Sequence, residues 1–246
     1  MIRYLFLLLL FFLAPGADAQ SFRSTQQKAP RVKAAYAEKW EGLKAELKKQ
    51  GIGEDFEMFI RVFKADKQLE VWLRPKNAKE YKLFKTYAIC ASSGDLGPKR
   101  MQGDGQVPEG FYSVAAFNPY SSYHLSLGVS YPNASDKIIG KGNLGGDIMI
   151  HGNCVTIGCM PLTDLYIKEV YVLAVEARSN GQQTIPVHIF PTRLDEKGMK
   201  SLEELNNASM MAFWKNLKTG YDLFEKNRQV PKVTVDKKGA YLFAEK

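Results

Sequence analysis

The stretch Ile150-His151-Gly152-Asn153-Cys154-Val155-Thr156-Ile157-Gly158-Cys159-Met160-Pro161 holds one of the chain's three histidines and two of its three cysteines. It reads as a short apolar strand ending at His151, a tight turn, and the approach to a helix. Imidazole and thiol are the side chains best suited to nucleophilic acyl chemistry near neutral pH. A cysteine attacks as its thiolate, which a helix N-terminus or a neighbouring imidazolium favours. Cys159 lies just ahead of a helix expected to run to Arg178, so it reads as the nucleophile and His151 as its general base. Gly158 lets the turn close tightly, and the amides of Gly158 and Cys159 read as oxyanion donors. Thr156 adds a hydroxyl. No acidic residue lies nearby in sequence to orient His151, which leaves a backbone carbonyl near Gly152 or Asn153, or a distant carboxylate.

The same residues admit two other readings. His151, Cys154 and Cys159 could supply three zinc ligands with His124 as a fourth, although the chain has no CxxC or HExxH spacing. Alternatively, both cysteines and a satisfied histidine simply fill a core turn.

Outward from this stretch, the chain looks exported. Arg3, the apolar run Tyr4 to Ala14 and the Ala17-Asp18-Ala19 ending read as a secretory signal over residues 1–19. The run falls short of the about 20 residues a membrane span needs, and no span is expected after cleavage. No cysteine follows it to carry a lipid. The net charge is +8, and loss of Arg3 with Asp18 leaves it unchanged. Basic character points to acidic partners such as nucleic acid, anionic lipid or a wall polymer. Export disfavours nucleic acid, and the scattered Lys and Arg residues equally describe a solvated surface. An odd cysteine count in an exported chain leaves one thiol free, shared or reactive. A Cys90–Cys154 bridge with Cys159 free is one such pairing.

Hydrophobic spacing places a helix over Val32, Tyr36, Trp40, Leu43 and Leu47, ended by Gly51 and Gly53, after a polar, loose 20–30. A hairpin follows (Phe56–Lys64 with Leu69–Leu73), then strands at Tyr81–Ala91, Phe111–Phe117 and Tyr123–Val129 around a Gly-, Pro- and Asp-rich loop over 92–109. Ile185–Phe190 reads as a strand in which His188 is an ordinary member. Leu202–Phe224 reads as one helix and Lys232–Phe243 as a terminal hairpin. The expected class is α+β, mostly β.

Motifs now add a resemblance. His-Gly followed by Thr-x-Gly-Cys resembles the catalytic signature of the L,D-transpeptidase (YkuD-type) domain. Gly103-Asp104-Gly105-Gln106-Val107-Pro108-Glu109-Gly110-Phe111-Tyr112 is similar to that family's Thr-Pro-x-Gly-x-[Phe/Tyr] loop-to-strand motif. Leu127-Gly128-Val129-Ser130-Tyr131-Pro132-Asn133 and Phe213-Trp214-Lys215-Asn216-Leu217-Lys218-Thr219-Gly220-Tyr221-Asp222 resemble the YafK branch, exported Gram-negative proteins of that fold. The resemblance runs from about Phe56 to the C-terminus. Ile157 and Pro161 depart from the Ser-His-Gly-Cys-x-Arg of most members, standing where they carry His and Arg.

The resemblance implies the L,D-transpeptidase catalytic fold, a mixed sheet or sandwich with flanking helices, in a periplasmic protein that needs neither metal nor cofactor. It divides the chain into residues 20–53 (polar segment and amphipathic helix), 54–195 (catalytic unit) and 196–246 (an extension packed on it). It makes Cys159 the nucleophile and His151 its base, with Gly158, Gly152 and Thr156 shaping the turn and oxyanion site. The implied reaction is acyl transfer on peptidoglycan stem peptides, with a neighbouring diaminopimelate or a lipoprotein lysine as acceptor. Water as acceptor would give hydrolysis, cleaving cross-links or detaching a wall-bound lipoprotein. A wall-binding module without turnover is the alternative of a different class. For the substrate carboxylate the implied cations are Lys99, Arg100 or Lys141, with His124, Tyr112 and Tyr131 as further cleft candidates.

Overall fold

Phe56–Phe63 forms β1 and turns through Ala65-Asp66-Lys67 into β2 (Gln68–Pro75), antiparallel with Phe56 opposite Pro75. The structure is a computed structural model and describes residues 17–244, so the charged start and apolar run of the expected signal lie outside the described residues. β3 (Lys82–Ala88), β4 (Gly110–Asn118), β5 (Ser126–Val129), β6 (Met149–His151), β7 (Met160–Pro161) and β8 (Pro186–Phe190) complete an eight-stranded sheet in the order β3-β2-β1-β8-β4-β5-β6-β7. The sheet is mixed: β8 runs parallel to β1 and β7 parallel to β6, and the other pairs are antiparallel.

Helices cover both faces of this α+β sheet, which is why its central strands are apolar on both sides. Met58, Ile60 and Val62 of β1 pack with Val32 and Leu43 of α2 (Pro30–Lys49) and with Val170 and Leu173 of α4 (Asp164–Ser179). Phe63, Phe111 and Phe190 meet Leu202 of α5 (Glu196–Glu203) and Trp214 and Leu217 of α6 (Ala208–Asn227). Tyr241 of the terminal hairpin, β9 (Lys232–Val235) with β10 (Tyr241–Ala244), joins them. Trp214 is 1% exposed, and burying a side chain of that size contributes about 3 kcal/mol. Among the described residues, no helix is long and apolar enough to cross a membrane.

Three local expectations change. The segment expected to be loose holds α1 (Ala17–Gln26), because Arg23 pairs with the buried Glu176 and Gln26 accepts the Tyr171 hydroxyl at 2.6 Å. Packing, rather than intrinsic propensity, decides a helix this short. The single helix over Leu202–Phe224 is two: Asn206 adopts a left-handed φ of 49° and Asn207 caps α6 at the Met210 amide. The strand expected from Tyr123 begins at Ser126, since His124 turns the chain with φ 70°. A further one-and-a-half turns, α3 (Ala134–Ile139), start at an Asn133/Asp136 capping box.

The loop over 92–109 has a fixed shape despite its composition. Asp104 gathers Lys99 and the amides of Arg100, Met101 and Gln106. Glu109, fully buried, accepts from Lys64 Nζ at 2.9 Å, the Gly97 amide at 2.7 Å and Trp214 Nε1 at 2.8 Å. One carboxylate thus ties the loop to β1 and to α6, beside the cleft described next.

Candidate active site

β6 and β7 are parallel neighbours with His151 opposite Pro161, so Cys159 falls beside Met149. Side chains alternate along a strand, and this register puts Cys159 on the sheet face that carries His151. His151 is 2% exposed, and its Nδ1 lies 2.5 Å from the Gly152 carbonyl oxygen. A carbonyl only accepts, so Nδ1 carries the proton and Nε2 keeps its lone pair. Burial holds the imidazole below its ordinary pKa, against the opposing pull of that hydrogen bond. The ring of Tyr123 lies over it, centroids 4.7 Å apart.

Cys159 is the free thiol. Burial pushes its pKa up, opposed by the Met149 amide and by Lys99 and assisted by Asp147. Sγ donates to the Asp147 carbonyl at 3.5 Å, and among the described residues no hydrogen bond joins it to His151. The expected help from a helix dipole is missing for a geometric reason: β7 intervenes and delivers the chain to α4, capped by Thr163, at its other end. The resting pair is therefore thiol and neutral imidazole.

Thr156 organises the turn. Its Oγ1 accepts from the amides of Gly158 (3.2 Å) and Cys159 (2.7 Å) and donates to the Cys159 carbonyl (2.9 Å). The two amides expected to be oxyanion donors are thus engaged in the resting state, side by side. Gly158 has φ 124°, and a Cβ there would stand 3.1 Å from the Gln106 carbonyl oxygen, so no other residue fits without strain. A Cβ on Gly152 would meet Asp164 Oδ1 at 2.6 Å.

Cys90 and Cys154 form a disulfide. A disulfide sulfur is not a thiolate ligand, which removes the zinc set built on Cys154. The bridge joins the turn between β6 and β7 to the segment after β3. Replacing both cysteines by alanine should cost about 4 kcal/mol, from loop closure over a separation of 64 residues, read as a lower denaturant midpoint under oxidising conditions.

Cys159 and Met160 line a cleft of about 280 Å³, whose other walls are Val62, Lys64, Ala65 and Lys67 on one side, Ile89 and 91–96 on another, and Val107. The cations expected there are elsewhere. Lys99 is buried on the Met101 carbonyl and Asp104, and Arg100 pairs with Asp136 at 2.9 Å. Lys141 is exposed in the segment between α3 and β6, outside the cleft lining. His124 also lies outside the lining, its Cβ 3.0 Å from where a Gly152 Cβ would be, and burial lowers its pKa. Tyr112 is buried on Asp136 and the Glu109 carbonyl, and Tyr131 beside Lys99. His188 is a buried member of β8 against Phe59 and Phe111. Sequence reasoning missed Tyr123, Asp147 and Lys67, since nothing local marks a ring against His151, a carbonyl that accepts from Sγ or a turn residue that lines the cleft.

A free thiol in a cleft, and a neutral imidazole fixed by a backbone carbonyl on the adjacent strand, are the components of a cysteine acyl-transfer site. The chain is 38% identical over 192 residues to "Putative L,D-transpeptidase YafK" of Escherichia coli (strain K12), covering 77% of this chain and 74% of that one, and equally to its counterpart in Escherichia coli O157:H7. The chain belongs to the YafK group of the L,D-transpeptidase family. Among solved structures, the helical cell shape determining protein Pgp2 from Campylobacter jejuni is similar at 19% identity over 74% of each chain, with a TM-score of 0.45. Bdellovibrio bacteriovorus Bd1075 is similar at 22% identity over 71% of this chain and 62% of that one, with a TM-score of 0.39. Both are too distant to bear on function. No family model matches the chain.

Proposed function

We propose that the protein is a periplasmic cysteine acyltransferase acting on peptidoglycan stem peptides, with residues 54–195 as its catalytic unit and 196–246 as an extension packed on it. The observation that carries this is the Cys159 thiol in a cleft, on the sheet face that carries His151, whose Nε2 is left as the free base. Family membership supports the reaction and the substrate class, and the disulfide fits an oxidising compartment.

Substrate binding turns Sγ from the Asp147 carbonyl to Nε2 of His151, which takes the thiol proton. The thiolate attacks the carbonyl of an L-centre that precedes a D-residue. The resulting oxyanion, a stronger acceptor than a hydroxyl, displaces Thr156 Oγ1 from the Gly158 and Cys159 amides. The C–N bond then breaks, and His151 returns its proton to the departing amine of the D-amino acid. An acceptor amine attacks the thioester, gives its proton to His151, and releases the sulfur, which His151 reprotonates. Water in place of the amine gives a carboxylic acid. Hydrolysis is the second reading, because Ile157, 91% exposed, offers no polar group with which to hold an amine acceptor.

Incubation with purified muropeptides, followed by mass analysis of the products, tests the proposal. Cross-linked dimers from the wild type, absent with Cys159→Ala, are the expected result. Shortened stems or a released peptide would mean hydrolysis. Unchanged muropeptides would leave a wall-binding module.

A further inference from the structure

His151 is covered by a residue from a turn that the N-terminal helix α2 holds in shape. Tyr123, in the 121–124 turn ahead of β5, lays its ring on the imidazole, with centroids 4.7 Å apart and planes 32° from parallel. Tyr123 is 44% exposed and His151 only 2%, so the ring stands between the imidazole and solvent. The turn also lies against the backbone of the base. The Gly152 amide donates to the Leu125 carbonyl at 3.2 Å, and the His124 Cβ is 3.0 Å from where a Gly152 Cβ would be. Within the turn, the Tyr123 amide donates to Ser121 Oγ at 3.1 Å. His124 adopts φ 70°, a left-handed conformation that residues other than glycine keep only where the surroundings impose it. Arg31 of α2 supplies that constraint: its Nη1 donates to the Ser121 carbonyl and, at 2.8 Å, to the His124 carbonyl. One guanidinium nitrogen thus clamps the turn on both sides of Tyr123. Arg31 is itself well anchored, because Pro30 starts the helix and Val32 and Ala35 are buried in the core.

We propose that Arg31 and Tyr123 are positioning residues for the base His151, Arg31 holding the 121–124 turn in shape and the turn keeping the Tyr123 ring on the imidazole. The inference rests on the acyl-transfer reading above, in which His151 is the base, and brings the N-terminal helix into the working site. The ring fixes the imidazole plane that the Gly152 carbonyl bond requires and keeps water from one of its faces. A poorly solvated imidazolium is disfavoured, so the base stays neutral and ready for the thiol proton. The strands beside His151 present Ser126 of β5 and Pro161 of β7, neither of which titrates near neutral pH. The ionisable groups facing it and its turn are Cys159 on the same sheet face, Asp164 at the start of α4, and His124, which Glu38, Lys168 and Arg31 surround.

The test follows His151 directly. The chain has three histidines, so magnetic-resonance titration of the full protein labelled at histidine, with His151→Gln to assign the signal, reads its pKa without substrate. Rates with a synthetic tetrapeptide stem are measured on the same samples. Wild-type His151 should titrate below the ordinary value of about 6.5. Tyr123→Ala opens the imidazole to water, so the titration and the acid limb of kcat/KM should both move up by about one unit. With it, kcat should fall about tenfold while KM stays within about twofold. Tyr123→Phe keeps the ring and should restore the wild-type titration. Arg31→Gln should move the titration in the same direction by about half as much. In a Tyr123→Ala background that substitution should do nothing, whereas a lost charge acting through space would still raise the pKa there. Matching thermal unfolding of the variants excludes a folding defect. An unmoved titration in either single variant, or an Arg31→Gln shift of equal size with and without Tyr123, would overturn the proposal. A tetrapeptide left untouched by the wild type would overturn the acyl-transfer reading instead, and the titration would still decide whether Arg31 and Tyr123 hold the imidazole.

Discussion

Cys159→Ala is expected to lower acyl transfer from stem peptides by on the order of 10⁵-fold, to the uncatalysed background. No other thiol can substitute, because Cys90 and Cys154 are joined to each other. The change removes one sulfur from a partly exposed position and leaves the backbone amide that Thr156 holds, so stability should move by less than about 1 kcal/mol. Serine at this position should fare little better, since a hydroxyl next to a neutral imidazole ionises far less readily than a thiol. Initial rates with purified muropeptides, set beside thermal unfolding of the same samples, separate loss of chemistry from loss of fold.

His151→Gln is expected to cost on the order of 10³-fold, the range for a general base. Glutamine retains an amide donor for the Gly152 carbonyl but supplies no basic nitrogen. The pH profile gives a sharper reading than the rate alone. Only the neutral imidazole accepts the thiol proton, and burial disfavours the imidazolium. The acid limb of kcat/KM in the wild type should therefore lie below the ordinary histidine value of about 6.5, and it should vanish in His151→Gln. The thiol moves the opposite way. With burial raising its pKa, alkylation of free Cys159 by iodoacetamide should still be accelerating above the ordinary cysteine value of about 8.5. Rapid alkylation at pH 6 would instead reveal a standing thiolate–imidazolium pair.

How much of this the sequence carried depends on the range of the interactions involved. The α2 helix, the β1–β2 hairpin, the capped α4 and the terminal hairpin follow local periodicity and turn chemistry, and all four stand as the spacing of apolar residues predicts. His151 and Cys159 share a sheet face because one short turn joins the end of β6 to the start of β7. What escaped was set by distant partners. α1 exists through Glu176 and Tyr171, more than a hundred residues away. Lys99 and Arg100 looked available until Asp104 and Asp136 folded onto them. Cys159 was expected near a helix N-terminus, but β7, only two residues long, inserts between them and leaves burial to govern the thiol. The disulfide pairing and the approach of the β1–β2 turn to the cleft likewise depend on contacts that no spacing encodes.

The central claim is that Cys159 carries the acyl group. Intact-mass analysis of the protein after brief exposure to a tetrapeptide stem, with peptide mapping of the adduct, tests it most directly. The account predicts a single adduct equal to the stem minus its terminal D-amino acid, located on Cys159, labile to hydroxylamine and absent in Cys159→Ala. Product formation by a folded protein with no adduct at Cys159, or with an adduct that persists in the alanine variant, would contradict it.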